Sequence, residues 1–446
     1  MNDMTRLTSL HGLDLNYLEP IDTKVQTWTT EAGTRVQFVE ARGLPVVDLV
    51  LRFGAGIVQD TDKSGLAALT LYMLDESSDG LTASEHAAGL ERLGAEVSKH
   101  LRLEQAVLSL RSLSQRTLLD PALALFGAMA AKPDFLPAAL EKVKSQTHAY
   151  AASRLSRPSI RARSEAFGYL FDGHPYANPI GTTPEGIEAV TVDDLRAFHR
   201  KAYSASNMEM TLVGDLSTAE AKAIAHRISQ ALPQGWVATP PPAVVEVPGT
   251  TLHVERPGAS TCVLLALPMT VPANDPQFPA MVLAREILTS GLDSRLMTEL
   301  RQRRGLTYDV SSQISAMRSG GVFMIEWDIA SNLVEATKTL VGTLLQRFID
   351  EGPTEAELGL ARHQLAGQLL RDVAQNKRLA GLLSATARQR QPEGYLNGYN
   401  AMLTGLTTDA VRETLRRRLD LRQAVWVSVG PTVDQQPLPE LPALDQ

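Results

Sequence analysis

The sequence contains little cysteine and no long apolar run. Cys262 is the single cysteine among 446 residues, which excludes a disulfide within the chain and a zinc site built from several thiolates. It lies in a short apolar segment, residues 262–267, so we expect a buried strand thiol rather than a nucleophile. No apolar stretch reaches the roughly 18 residues of a membrane-spanning helix, so the sequence predicts no membrane span.

Positive charge is not in excess either. The formal net charge is −7, from 43 Lys and Arg residues against 50 Asp and Glu residues. A mildly acidic balance of this kind favours solubility and creates no field that would attract nucleic acid or an anionic membrane. We therefore expect no nucleic-acid partner.

The first twenty residues lack the hydrophobic core of a signal peptide, because polar and charged residues interrupt the apolar ones. This composition favours the cytoplasm. A chain whose signal peptide had been removed would look the same, and it would belong in the periplasm.

Common catalytic motifs are also missing. The sequence has no G-x-x-x-x-G-K-[ST] phosphate loop and no G-x-S-x-G nucleophile turn. It has nine histidines, but no two of them are four positions apart. No helix can therefore present a pair of histidines to zinc at that spacing.

An internal repeat is the main organisational feature. Residues 191–214 align without a gap on residues 407–430, at a constant offset of 216. Both segments read as a helix that starts at a threonine with an acid in its first turn, followed by an alternating strand that ends at glycine. The identical pairs include Thr191 and Thr407, Asp193 and Asp409, Arg200 and Arg416, and Gly214 and Gly430. Duplication explains this order of elements better than chance.

A proline cluster separates the two copies. The segment from Trp236 to Pro242 contains three consecutive prolines, which fit neither a helix nor a central strand. We therefore predict an N-terminal half at 24–235, a linker at 236–247 and a C-terminal half at 248–433. Hairpin and helix patterns predict an α+β fold, in which each half has a mostly antiparallel or mixed sheet with helices on one face.

Two residues of the second half could carry chemistry. The pattern predicts a short helix at 294–303 that breaks at Gly305 and a strand at 307–316, so that Arg301 and Tyr308 could project to one side. A guanidinium and a phenol placed in this way suit a carbonyl or an oxyanion. The structural alternative is a helix-end arginine bound to backbone carbonyls and a tyrosine half in the core. Spacing alone favours that alternative.

Several short segments resemble the pitrilysin/insulinase family of zinc metallopeptidases, which use an H-x-x-E-H motif. The resemblance extends from about Val25 to Gly430. The matching segments are residues 65–67 (GLA), 90–95 (LERLGA), 174–182 (HPYANPIGT), 207–214, 294–296 (SRL) and 304–310 (RGLTYDV). Membership would imply two duplicated α+β halves, as the repeat predicts independently.

The sequence departs from this family at the zinc motif. The positions that correspond to the two histidines and the glutamate of H-x-x-E-H hold Ala68, Tyr72 and Leu71. Alanine and leucine cannot bind a metal or accept a proton, and a phenol with a pKa near ~10 is a poor zinc ligand. The third family ligand, a glutamate about 75 residues further on, is also missing, since no acid occurs between Glu141 and Glu165. The resemblance therefore implies a degenerate site without metal and a chain that hydrolyses no peptide alone.

The same resemblance assigns a role to Arg301 and Tyr308. They match the pair with which the C-terminal half of family members completes the catalytic site by binding the substrate carbonyl or its oxyanion. In two-chain family members one subunit carries H-x-x-E-H and the other carries this pair. The resemblance thus implies a heterodimer that cleaves peptides, with no cofactor in this chain and with zinc in the partner subunit.

Two other interpretations stay open. The chain could be a structural or peptide-capturing family member with no catalytic role, and a strand at 96–101 with an exposed edge could then bind an extended peptide through Glu96, Val97 and Ser98. Alternatively, the chain could self-associate as a homodimer.

Overall fold

The computed structural model describes residue 18 and residues 20–441. The chain folds around two large β-sheets, one of six strands from the first half of the sequence and one of five strands from the second half. Helices connect and cover the strands. The predicted α+β class with two duplicated halves is therefore confirmed.

The first half begins with a strand pair and ends with a helix. Its strands are β1 (Gln26–Thr29), β2 (Arg35–Glu40), β3 (Val46–Phe53), β4 (Ser77–Ser78), β5 (Leu81–Thr82), β6 (Glu96–Leu101), β7 (Ala106–Leu113) and β8 (Met208–Gly214). Its helices are α1 (Leu66–Met73), α2 (Ala83–Arg92), α3 (Arg116–Ala131), α4 (Pro137–Leu155), α5 (Pro158–Leu170), α6 (Pro184–Ala189), α7 (Val192–Ala202) and α8 (Thr218–Ala231).

The second half follows the same plan with fewer short elements. Its strands are β9 (Thr250–Glu255), β10 (Ser260–Pro268), β11 (Val310–Met317), β12 (Gly320–Ala330) and β13 (Val425–Gly430). Its helices are α9 (Phe278–Thr289), α10 (Val334–Glu351), α11 (Glu355–Val373), α12 (Asn376–Arg388), α13 (Tyr395–Gly405) and α14 (Thr408–Arg418).

The two sheets share one topology apart from β1, which has no counterpart among the described strands of the second sheet. The strand order is β1-β2-β8-β3-β7-β6 in the first sheet and β11-β12-β10-β13-β9 in the second. In each sheet one pair is parallel, β2 with β8 and β9 with β13, and the other pairs are antiparallel. The offset of 216 carries both ends of α7 onto α14. Thr191 and Thr407 each cap their helix by accepting a hydrogen bond from a backbone N–H.

Each sheet packs its own helices against one face. The first core lies between the first sheet and helices that include α1 and α3, and its largest side chains include Phe38, Phe53 and Phe126. The second core is built in the same way around Phe323 and Phe348. Cys262, in β10, is buried, and burial raises the pKa of its thiol. The expected buried strand thiol is confirmed.

The opposite face of each sheet is covered by a helix from the other half. Helix α5 of the first half lies on β10 and β13 of the second sheet, and α12 of the second half lies on β8 and β3 of the first sheet. In the first contact Ala162, Ala166 and Phe167 pack against the second sheet. In the second, Leu379 and Leu383 pack against the first sheet. Within each half, helices thus cover one face of the sheet. In the whole chain, a helix from the other half also covers the opposite face.

The segment between the halves is fixed at several points. Residues 232–249 form neither helix nor strand. The backbone N–H of Ala238 donates to Asn207 Oδ1 at 2.9 Å, and Ser319 Oγ donates to the carbonyl of Pro241 at 2.6 Å. The proline segment therefore contacts both halves. Within residues 18 and 20–441, no helix is long and apolar enough to cross a membrane.

The exchange of α5 and α12 predicts that the two halves stabilise each other. Leu383 on α12 is 1% exposed, so Leu383→Ala should lower the free energy of unfolding by about 2–5 kcal/mol. Denaturant unfolding followed by circular dichroism would measure this loss. Leu360→Ala on α11 is the control, since Leu360 is 44% exposed and its truncation should cost less than about 0.5 kcal/mol. Equal losses for both variants would show that α12 does not stabilise the first sheet.

Candidate functional site

Helix α1 carries the positions of the missing zinc motif. It begins at Gly65, whose φ of +124° favours glycine and whose Cβ would lie 3.3 Å from Ile187. The Asp60 carboxylate accepts hydrogen bonds from the N–H groups of Gly65 and Ala67, at 2.9 and 2.6 Å. Burial raises the pKa of Asp60 to about 7, while these two bonds lower it. Asp60 thus caps the helix from five residues upstream.

The motif positions themselves are apolar and buried. Ala68 is 1% exposed and Leu71 is fully buried in the first core. Tyr72 is half-buried against the same core. Burial raises the pKa of the Tyr72 phenol, Tyr150 raises it further and Arg154 lowers it, so the phenol stays protonated at neutral pH. No side chain at these three positions fits a zinc ion.

The region of the third family ligand is also used structurally. On α4, Lys144 Nζ donates to the carbonyl of Glu188 at 3.0 Å, and His148 Nε2 lies 2.8 Å from the Glu188 carboxylate. Both contacts fasten α4 to α6. Within the part of the chain that the structure describes, no group of three or more His, Cys, Asp or Glu residues is arranged to hold a metal ion.

Arg301 and Tyr308 form one stacked pair in the second half. The guanidinium carbon of Arg301 lies 4.3 Å from the centroid of the Tyr308 ring, which is a cation–π geometry. Arg301 is half-buried, whereas Tyr308 is 80% exposed. The structure thus brings together the two residues that the sequence singled out, and it leaves the phenol open to solvent.

The local backbone differs from the predicted helix and strand. The predicted short helix at 294–303 contains a π-helical segment, Met297–Arg303, and β11 begins at Val310. The wider turn is closed by a bond from the N–H of Leu306 to the carbonyl of Leu300 at 2.8 Å, and Gly305 has a φ of +60°. Tyr308 therefore lies in the turn before the strand rather than at its start. The prediction of a strand beginning at position 307 was wrong.

The charge of Arg301 is not compensated by a neighbouring acid. Arg303 and Arg304 on the same segment both pair with Glu299, at 2.7 and 2.8 Å, and Arg295 pairs with Glu357. Among residues 20–441, no carboxylate forms an ion pair or hydrogen bond with the guanidinium of Arg301. A guanidinium in this state can bind an anionic or strongly dipolar oxygen without first losing a partner.

The predicted peptide-binding residues lie on an outer strand. Strand β6 is at one edge of the first sheet and pairs only with β7, where Glu96, Val97 and Ser98 face Arg111, Leu110 and Ser109. The outer edge of β6 therefore has backbone groups without a strand partner in the described chain.

Strand β6 and helix α1 are neighbours. The Lys99 ammonium on β6 donates to the carbonyl of Tyr72 on α1 at 3.2 Å and forms an ion pair with Asp75. The edge strand and the degenerate motif thus share one surface of the first half. The stacked pair lies in the other half, and within the described residues it has no hydrogen bond, ion pair or ring contact with α1.

The motif surface contains a second arginine–tyrosine stack that the sequence analysis did not single out. Arg154 lies 5.7 Å from the ring centroid of Tyr150 on α4, close to Tyr72. The spacing of four residues on one helix could have indicated this contact.

The buried motif positions predict a strong penalty for restoring the acid. Leu71→Glu should destabilise the chain by at least about 3 kcal/mol, because it places an unpaired carboxylate in the first core. The deficit should shrink from about pH 8 to about pH 5, since the buried group has a raised pKa and binds a proton in the folded state. Denaturant titrations at several pH values would measure both effects.

Leu71→Met is the matched control for this variant, with an expected cost below about 1.5 kcal/mol because it conserves volume. A cost of less than about 0.5 kcal/mol for Leu71→Glu would mean that the position faces solvent.

Comparison with known proteins identifies the family. A family profile described as "Peptidase M16 inactive domain" matches residues 189–365. The non-peptidase homolog YmxG of Helicobacter pylori is 25% identical over 364 residues, which cover 80% of this chain and 82% of that protein. A protease structure from Helicobacter pylori aligns with a TM-score of 0.83 at 18% identity, over 92% of this chain and 100% of that chain, and it shows the shared fold.

The crystal structure of a peptidase M16 inactive domain from Pseudomonas fluorescens is more similar. It aligns with a TM-score of 0.89 at 38% identity, over 93% of this chain and 100% of that chain. This identity agrees with the family resemblance of the sequence segments, and the description of that structure as an inactive domain agrees with the lack of zinc ligands at Ala68 and Leu71. The chain therefore belongs to the M16, or pitrilysin, peptidase family as an inactive member.

Proposed function

We propose that this chain is the zinc-free subunit of a heterodimeric M16 peptidase. In this assembly Arg301 and Tyr308 bind the carbonyl of the substrate peptide or its oxyanion, opposite the H-x-x-E-H motif of a partner subunit. The observation that carries the proposal is the stack of an uncompensated guanidinium on an exposed phenol ring.

The exposure of Tyr308 and the lack of an acidic partner for Arg301 support a role in binding. An exposed tyrosine gains nothing from core packing, and an arginine without an acidic partner contributes no ion pair to stability. A stack of this kind does hold both side chains in one orientation, which lowers the entropy that they lose when they bind a ligand. A partner surface that excluded water from the pair would strengthen its attraction for a developing negative charge.

The remaining chemistry belongs to the partner subunit. Ala68 and Leu71 offer no donor atom and Tyr72 offers only a neutral phenol, so these three positions do not suit a zinc ion. In the partner, a zinc ion would lower the pKa of its bound water to about 7. The contribution of this chain is to orient the substrate carbonyl and to bind its negative charge.

A second candidate function is capture of an extended peptide without catalysis. The outer strand β6 favours it, because its unpaired edge at Glu96, Val97 and Ser98 could extend the first sheet with a peptide strand. Residues on this surface are independent of the Arg301–Tyr308 pair. The two functions can therefore be separated by mutation.

The first test is on metal content. The isolated chain should bind no stoichiometric zinc, and the complex that co-purifies with an H-x-x-E-H subunit should contain about one zinc per heterodimer. Metal analysis of both samples after gel filtration measures this difference, and removal of the zinc by a chelator should abolish peptide cleavage by the complex. Tight zinc binding by the isolated chain would overturn the proposal.

The second test is on the stacked pair. In the reconstituted complex, Arg301→Ala should lower kcat for peptide cleavage by about 10²–10³-fold, the usual cost of removing one oxyanion donor. Tyr308→Phe keeps the ring under the guanidinium but removes the hydroxyl, so it should lower kcat without preventing assembly. Steady-state kinetics and gel filtration of each complex supply the two readouts.

Arg303→Ala is the matched control for these variants. Arg303 lies two positions from Arg301 on the same segment and is paired with Glu299, so its loss should leave kcat within about twofold. Wild-type kcat in a complex that carries both Arg301→Ala and Tyr308→Phe would rule out the catalytic role and favour peptide capture.

A further inference from the structure

We propose that a cavity between the two halves binds a small phosphate-bearing anion. The cavity has a volume of about 260 Å³. The first sheet lines one side of it, at β2, β3 and β8, and the C-terminal end of α12 and the turn between β11 and β12 line the other. It is separate from the Arg301–Tyr308 pair and from the motif positions on α1, so the proposal does not depend on the proposed function.

Cations outnumber acids in the lining of this cavity. Five arginines line it: Arg35, Arg52, Arg318, Arg388 and Arg390. The acids in the lining are Glu104 and Glu209, which leaves a formal excess of three positive charges. The whole chain has a net charge of −7, so the local charge of the cavity is opposite in sign to that of the chain.

Each of the two acids has an arginine partner. Glu209 forms an ion pair with Arg35. Glu104 forms an ion pair with Arg388 across the interface of the halves, and its other oxygen accepts hydrogen bonds from the Tyr176 hydroxyl at 2.6 Å and from the backbone N–H of Arg318 at 2.8 Å. These ion pairs neutralise the two negative charges of the lining.

The other three guanidinium groups have no acid in contact within the described chain. Arg52 donates only to neutral oxygens, Ser384 Oγ at 2.9 Å and Gln105 Oε1 at 2.8 Å. The Arg318 guanidinium donates to the carbonyl of Ala238 at 3.3 Å. The Arg390 guanidinium forms no hydrogen bond or ion pair with residues 20–441, and the φ of Arg390, +53°, lies in a region that side-chain-bearing residues rarely adopt. The cavity thus holds three guanidinium groups that form no ion pair with the described residues.

This arrangement is unfavourable without a counter-ion. Burial lowers the pKa of Arg52 to about 10, the charges of Arg388 and Arg102 lower it further, and the nearby charge of Glu209 raises it in part. In addition, the buried Nε of Arg388 has no hydrogen-bond acceptor. A bound anion would relieve the repulsion and could accept bonds from several guanidinium groups at once.

A compact dianion fits these observations best. Guanidinium groups bind phosphate oxygens through paired N–H donors, and a phosphate carries about two charges on one small group. Inorganic phosphate and the phosphate of a small monoester share this chemistry. Because Arg52 comes from the first half and Arg318, Arg388 and Arg390 come from the second, the anion would join the two halves.

The test compares anions on the full-length chain at constant ionic strength, set with potassium chloride. Inorganic phosphate and glycerol phosphate are titrated by calorimetry and tested for their effect on thermal unfolding. At a concentration near 100 times its Kd, a bound anion should raise the melting temperature by about 3–5 °C. Tighter binding of inorganic phosphate would identify free phosphate as the ligand, and tighter binding of the monoester would identify a phosphorylated metabolite.

Two variants change the charge of the cavity in opposite directions. Arg318→Gln combined with Arg390→Gln removes two exposed side chains that form no ion pair, so it should weaken phosphate binding at least about tenfold while the chain stays folded. Glu209→Gln removes an acid and should tighten binding, which general destabilisation would not do. Arg347→Gln is the control, because Arg347 lies on α10, paired with Glu351, and does not line the cavity.

Three results would overturn the proposal. The first is that phosphate stabilises the chain no more than chloride does, and the second is that the double variant binds phosphate as tightly as the wild type. The third is tighter binding of succinate, a dicarboxylate of similar charge, than of either phosphate probe.

Discussion

The exchange of one helix between the two halves is the constraint on which the rest of the structure depends. Each sheet buries one face with its own helices and presents the other face to a helix from the opposite half, α5 on the second sheet and α12 on the first. The halves therefore cannot separate without exposing two apolar surfaces, and the cavities and turns between them keep a fixed shape.

A buried polar cluster around Glu104 fixes the position of the two halves relative to each other. The Glu104 side chain, only 4% exposed, takes hydrogen bonds or ion pairs from Tyr176 of the first half and from Arg318 and Arg388 of the second. Gly56 allows the turn that carries Glu104 to approach, because a Cβ at this position would lie 2.0 Å from the backbone nitrogen of Gln105. Apolar packing tolerates small shifts, but a buried carboxylate with directional partners accepts few arrangements. Arg52 and Arg390 line the cavity beside this cluster and form no ion pair with the described residues.

Local signals predicted much of the fold, while contacts between distant segments did not follow from them. The predicted strand at 96–101 coincides with β6, and the threonine caps of α7 and α14 follow from the repeat. Amphipathic spacing shows that α12 has an apolar face, but not that this face covers the other half's sheet. Likewise, the family resemblance singles out Arg301 and Tyr308, but it does not predict that the guanidinium of one stacks on the ring of the other. The π-helical turn between them depends on a bond from Leu306 to Leu300 that no local pattern indicates.

The loss of the zinc motif has changed the energetics of the first half as well as its chemistry. A metal site needs polar side chains held apart around a space, and an unoccupied one leaves buried polar groups without partners. Here Leu71 packs in the first core, Ala68 is buried, and Lys144 and His148 fasten α4 to α6. A substitution that restored one ligand would lose this packing and still bind no metal, since the remaining ligands would be absent. The second half is under no such constraint, because its stacked arginine and tyrosine lie at the surface. Natural selection can therefore preserve or change that pair independently of the stability of the core.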